Sequence, residues 1–163
     1  MVLEAFGGRP LIGAGFGFNA AIQGTLRLQL DGFVPLRSSE ARGDQRELSL
    51  NAAWARFGPH LALRSAPLLV GASLQAGLAV IWASARTTPP LVGTTDITQA
   101  ALFSAGAWLE CPDASAVYFR ASANASHLLP TVELELGNGA SQPFGKLLVD
   151  LGIGVGVRWG LAD

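Results

Sequence analysis

One cysteine, one lysine and one tyrosine stand in a chain of 163 residues. The lone cysteine, Cys111, rules out an internal disulfide. With Lys146 as the only lysine and a net charge of −1, the chain has no basic surface with which to hold nucleic acid. Its two histidines, His60 and His127, and that cysteine fall short of the spaced ligand set of a zinc site. Charge of both signs is scarce, at 14% of residues against about 25% in soluble domains. Hydrophobic residues make up 50%, so a large apolar surface must be hidden in a closed core or in a membrane. Residues 1–10 carry neither the basic start nor the apolar run of an export signal.

What is present is alternation. In Leu147–Trp159 one face carries Leu147, Val149, Leu151, Ile153, Val155, Val157 and Trp159. The other carries Leu148, Asp150, Gly152, Gly154, Gly156 and Arg158. A period of two marks a strand between two unlike environments. Its twelve steps at roughly 3.3 Å give about 40 Å of chain. Tilted by about 40°, that crosses the apolar band of an outer membrane, whereas an ordinary soluble strand has about 5–6 residues.

Six more segments share this character. The first strand is placed at Leu11–Ala20, with Gly13, Gly15 and Gly17 on a crowded lumen face and a turn near Ile22–Gly24. The second, Thr25–Leu36, sets Leu26, Leu28, Leu30, Val34 and Leu36 against Arg27, Gln29, Asp31 and Phe33. The third, Glu47–Arg56, sets Leu48, Leu50, Ala52 and Trp54 outside and Glu47, Ser49 and Asn51 inside, and Phe57–Pro67 reads as a turn region. The fourth is Leu68–Ala85, with Leu68, Val70, Leu74, Leu78, Val80 and Trp82 on one face. The fifth, Gln99–Leu109, turns Phe103 outward and Trp108 inward. The sixth, Ser115–Ser126, turns Phe119 outward and Tyr118, Arg120 and Asn124 inward; after Pro130 the pattern resumes on the opposite parity, as across a bulge.

The expected fold is therefore all-β, an antiparallel up-and-down transmembrane β-barrel in a single domain spanning residues 1–163. The loops 37–46, 86–98 and 137–145 are longer and more polar than the alternate turns, which assigns them to the external side and the turns near Gln23, His60 and Cys111 to the periplasmic side. Trp54, Trp82, Phe119 and Trp159 then make an interface girdle. Seven strands conflict with the even number of single-chain barrels, so an eighth strand and the export signal are expected upstream.

On these residues the chain resembles small bacterial outer-membrane β-barrel proteins of the OmpA/OmpX transmembrane type, nearest to myxobacterial-type barrels. The resemblance rests on the Leu68–Trp82 strand, the Cys-Pro turn at Cys111 and the final Gly152–Trp159 strand, and covers nearly the whole chain as a pattern. It implies outer-membrane lipid as the surroundings. It also implies recognition by the barrel-assembly machinery through Leu147–Trp159, with Trp159 as the signal aromatic. Many members end on that aromatic, whereas here Gly160–Asp163 follow it.

The expected lumen network is Arg27, Asp31, Glu47, Arg120, Asp150 and Arg158, with Gln29, Asn51, Tyr118 and Asn124. Desolvated charges must pair, so it reads as a structural plug rather than a pore, eight strands leaving little free space. His127, Ser126 and Glu133 are the residues from which a rim hydrolase site would have to be built, but they match no such motif. The histidines read as solvated loop residues and Cys111 as a turn residue. No catalytic residue and no cofactor is assigned, and the role expected is structural or interactive, with the external loops as binding surface. Two alternatives stand: a soluble lipocalin-like barrel with an apolar ligand cavity, and a transmembrane helix at Ala66–Ala85, about 20 residues without a charge.

Overall fold

In the computed structural model the described residues are 2–3, 11–42, 46–65, 67–87, 95–112, 115–135, 141–144 and 146–157. Eleven strands run in chain order: β1 (Val2–Leu3), β2 (Ile12–Gln23), β3 (Leu26–Arg37), β4 (Ser39–Arg42), β5 (Arg46–Ser65), β6 (Leu68–Thr87), β7 (Thr95–Cys111), β8 (Val117–Leu129), β9 (Val132–Glu135), β10 (Ser141–Phe144) and β11 (Leu148–Val157). The main sheet has the order β1-β11-β8-β7-β6-β5-β3-β2, with β4 also on β5, while β9 and β10 form a separate pair. Every pairing is antiparallel. This is the all-β up-and-down fold expected, and its seven long strands correspond to the seven read from alternation.

The connections follow local chemistry. Gln23 pairs with Leu26 across a two-residue turn, and Gly24 takes the positive φ of 53° that its first position demands. Ala66–Ala85 is no helix: Leu68–Thr87 is a twenty-residue strand paired on both sides. No helix among the described residues is long and apolar enough to cross a membrane.

Three expectations about the strands are corrected. The segment Phe57–Pro67 is not a turn region, because β5 continues through it to Ser65. Pro59 has no N–H to give, and the ladder to β6 skips Gly58 and Pro59 and resumes at His60 in unchanged register. A Cβ on Gly58 would lie 2.1 Å from the Leu74 carbonyl oxygen, so this glycine serves close approach between strands. The segment after Pro130 does not continue the sixth strand across a bulge; β9 leaves the main sheet to pair with β10. The loop 37–46 carries β4, which pairs with β5 from Ser39↔Leu50 to Arg42↔Glu47.

Facing follows the pleat. On β6, Leu69, Ser73, Gln75, Ala79 and Ile81 are buried, while Leu74 and Leu78 are 65% and 66% exposed. On β11, Asp150 turns inward and Ile153 is 93% exposed. The apolar core lies on the concave side, toward the ends of the strands that meet the 37–46 and 87–95 connections. It joins Leu11, Phe33, Leu50, Trp54, Ile81, Leu102, Leu128 and Leu148. Leu50 and Leu128 are wholly buried, and each such side chain is worth about 1.5–3 kcal/mol against exposure to water.

Candidate functional site

Below this apolar layer, toward the short turns, the concave face becomes polar. Arg56 comes from β5, where alternation continues Leu50, Ala52 and Trp54 to Arg56, Gly58, His60 and Ala62, all turned inward. Its guanidinium donates to both oxygens of the Asp150 carboxylate, Nη1 to Oδ2 at 2.8 Å and Nη2 to Oδ1 at 3.2 Å. Its Nε lies 3.6 Å from Oδ2 of Asp31, its cross-strand partner on β3. Nη1 also reaches Ser104 Oγ at 3.5 Å, and Ser104 meets Ser126 at 2.8 Å.

Each carboxylate is further held by amides. Asn124 Nδ2 donates to Asp150 Oδ1 at 2.7 Å. Gln75 Nε2 donates to Asp31 Oδ2 at 2.9 Å, and Gln29 Nε2 donates to the other oxygen of Asp31. Such bonds let a charge stay ionised away from water, since an unpaired buried charge is prohibitively costly.

Nearer the short turns lies a second cluster. Arg120 donates to Gln29 Oε1 at 2.7 Å and to Glu110 Oε1 at 3.4 Å, and its guanidinium carbon sits 5.2 Å from the centre of the Trp108 ring. Arg27 Nη1 lies 4.0 Å from Glu110 Oε2. Glu110 is 1% exposed, as is His60, whose ring centre is 6.0 Å from that of Trp108. Both ring nitrogens of His60, Trp108 Nε1 and Gln75 Oε1 are buried without a hydrogen-bond partner among the described residues. A cavity of about 570 Å³ adjoins this network, bounded by Gly13, Gly15 and Gly17 of β2 and Gly152, Gly154 and Gly156 of β11.

The structure thus brings together Arg27, Asp31, Arg120 and Asp150 of the expected lumen network, with Gln29, Asn124 and Tyr118 on the same face. Asn51 does not join it, and Glu47 shares its parity on β5. They lie on the odd positions of β5, and Leu50, Ala52, Trp54 and Arg56 on the even ones are those buried inside. The side chain of Glu47 lies outside the described residues, as do Arg158 and Trp159.

Trp54 is likewise corrected. It is 9% exposed inside the sheet, stacked on Phe33 with ring centres 4.1 Å apart and planes at 15°. It is a lumen residue because the lumen is apolar at that level, so β5 shows an apolar face to each side in turn. Phe119 does lie outside, 66% exposed, and Trp82 sits half-buried on the outer parity opposite Asn51. His60 is no loop residue but a buried lumen residue of β5. His127 sits on the opposite parity of β8 to Ser126, with Nδ1 2.7 Å from the Lys146 carbonyl. Ser126 is buried against Ser104, so the two cannot act as one catalytic pair. Cys111 ends β7 opposite Phe119 rather than standing in a turn.

Sequence reading missed Arg56, Glu110, Gln75 and Ser104. For Arg56 a signal existed: carried past Gly58-Pro59, the alternation puts Phe57, Leu61 and Leu63 on one face and Arg56 and His60 on the other. No protein-family model matches the chain, and neither does any curated protein.

Proposed function

We propose that this chain is a β-barrel protein of the bacterial outer membrane, with a structural or interaction role and a lumen plugged by paired polar side chains. The observation that carries the reading is inverted polarity. Ile153, Leu36, Leu78, Phe119, Leu74, Ile97 and Phe18, all on the convex face, are 93% to 63% exposed, while the Arg56–Asp150 pair lies inside. Contiguous exposed apolar surface on this scale exceeds what a soluble monomer carries and matches the apolar band of an outer-membrane strand. Lipid is then the partner of the convex face, and the last strand is the region through which assembly machinery acts.

The charged lumen matches a plug. Three guanidiniums, of Arg27, Arg56 and Arg120, face three carboxylates, of Asp31, Glu110 and Asp150. Above them the Leu50, Ile81, Leu102 and Leu128 layer is tightly packed. Asp31, Arg56, Arg120 and Asp150 line the cavity among its apolar groups, and burying those charges against an apolar ligand would be costly. The test is fractionation of cells making the protein from its native upstream sequence, followed by gel mobility with and without boiling. Outer-membrane location with a heat-dependent mobility shift is expected. A soluble protein whose mobility ignores heating overturns the reading.

A further inference from the structure

Directly opposed residues of a sheet share a face. On the convex face one such row runs Phe57, Ala76, Phe103 and His127, each opposite the next. The row beside it runs Leu74, Ala105 and Ala125. The alanines leave a groove of about 700 Å³ between larger side chains. Phe57 and Leu74, 51% and 65% exposed, stand on its β5–β6 side, and Leu147, 62% exposed, stands at the start of β11. No carboxylate is among its described lining residues.

Polarity enters this apolar surface at one end of the groove. On β8 the outward positions Val117, Phe119, Ala121, Ala123 and Ala125 are followed by His127, which lines the groove. Its Nδ1 lies 2.7 Å from the Lys146 carbonyl oxygen. A carbonyl only accepts, so Nδ1 holds the proton and Nε2 is the nitrogen left for another partner. Lys146, the only lysine of the chain, is exposed directly before Leu147, where the apolar outward row of Leu147–Val157 begins. Its ammonium rides on a flexible four-carbon stem that lets the charge stay at the edge of an apolar surface. We infer that the groove seats one acyl chain of a phosphorylated lipid, whose phosphate is held by the Lys146 ammonium and by His127. Charge complementarity selects this occupant. A lipid phosphate joins hydrocarbon for the groove to an anion for the lysine in one molecule. An apolar peptide leaves the ammonium unmatched, and free phosphate leaves the groove unfilled. The site rests on the proposed reading of the convex face as lipid-facing, and adds to it a choice among lipids.

Purified protein in dodecyl maltoside, titrated with dipalmitoyl phosphatidic acid and followed by native mass spectrometry, tests it. Dipalmitoylglycerol, with the same chains and no phosphate, and inorganic phosphate are the controls. Phosphatidic acid is expected to bind as one molecule per chain, about tenfold more tightly than dipalmitoylglycerol, and inorganic phosphate to bind no better than the latter. Lys146→Gln with His127→Gln should remove that preference and leave dipalmitoylglycerol binding unchanged. Ala125→Phe, which fills the groove and keeps both polar groups, should weaken phosphatidic acid binding; Ala105→Phe makes the same test from β7. Each variant is first checked for the parent's heat-dependent gel shift. Equal affinity for the two lipids overturns the inference, as does a preference that survives loss of Lys146 and His127 or the filling of the groove at both alanines. With the gel shift intact, those results leave the proposed location standing. A protein that is soluble and shows no shift overturns both.

Discussion

Arg56 and Asp150 stand 94 residues apart in sequence and meet through two hydrogen bonds, of 2.8 and 3.2 Å. Their strands are not neighbours in the sheet, so this pair spans the lumen and ties its curl.

Removing one partner strands the other. Asp150→Leu leaves the Arg56 guanidinium buried with the 3.6 Å contact to Asp31 and a 3.5 Å hydrogen bond to Ser104, and is expected to cost about 3–5 kcal/mol. The double change Arg56→Met with Asp150→Leu should recover most of that loss, since replacing a buried pair by apolar groups is often close to neutral. Urea unfolding of the two variants, followed by tryptophan fluorescence, gives the comparison. Equal loss in both would mean that the pair is not coupled.

Of the three tryptophans assigned to the girdle by pattern, Trp54 and Trp82 should behave oppositely. Trp54→Ala removes a buried ring stacked on Phe33 and is expected to cost about 3–5 kcal/mol. In vesicles of brominated lipid, a protein retaining only Trp82 should be quenched and one retaining only Trp54 should not. Strong quenching of Trp54 would return it to the outer face.

Ile153 is the most sensitive probe of the convex face. In a bilayer, Ile153→Arg near mid-depth should cost about 2–4 kcal/mol and reduce assembly into vesicles. On a soluble surface the same change would shift stability by less than about 0.5 kcal/mol. Assembly yield and unfolding midpoint together separate the two environments.

Glycines on the concave and paired faces are not equivalent. A Cβ at Gly77 would stand 2.0 Å from the Ala55 carbonyl oxygen, a backbone atom that cannot swing aside. Gly77→Ala is expected to destabilise by about 1–3 kcal/mol. Gly154→Ala meets nothing within 4 Å and should fall within about 0.5 kcal/mol of the parent. Thermal midpoints of gel mobility measure both, and a tolerated Gly77→Ala would show that β5 and β6 are less closely apposed.

The proposed plug has a consequence for transport. The packed layer of Leu50, Ile81, Leu102 and Leu128 crosses the concave side. Protein reconstituted in planar bilayers should give no stepwise conductance, while Leu128→Asp in that layer should admit water and leak ions. Channel steps from the unaltered protein would mean that the layer opens.

Facing was readable where one side of a strand is uniformly apolar. In β7 the sequence placed Phe103 outside and Trp108 inside, and in β8 Phe119 outside and Arg120 inside. It failed on β5, where Leu50 and Trp54 are apolar and inward while Phe57 and Leu61 are apolar and outward. Gly58-Pro59 was read as punctuation by residue type, yet the ladder on either side of it holds one register. Of the polar cluster, Asp31, Arg120 and Asp150 could be seen as inward charges; that Asp31 and Asp150 would share Arg56 could not.

Sequence by itself determined long antiparallel strands with one small or polar face and one apolar face, because period two maps directly onto the two sides of a pleated chain. Tertiary structure alone decided which apolar residues of β5 turn inward and which carboxylate each guanidinium meets. Those outcomes depend on what the far wall of the lumen presents at the same height, and curling the sheet sets that wall's residues, such as Asp150 opposite Arg56, from strands remote in sequence.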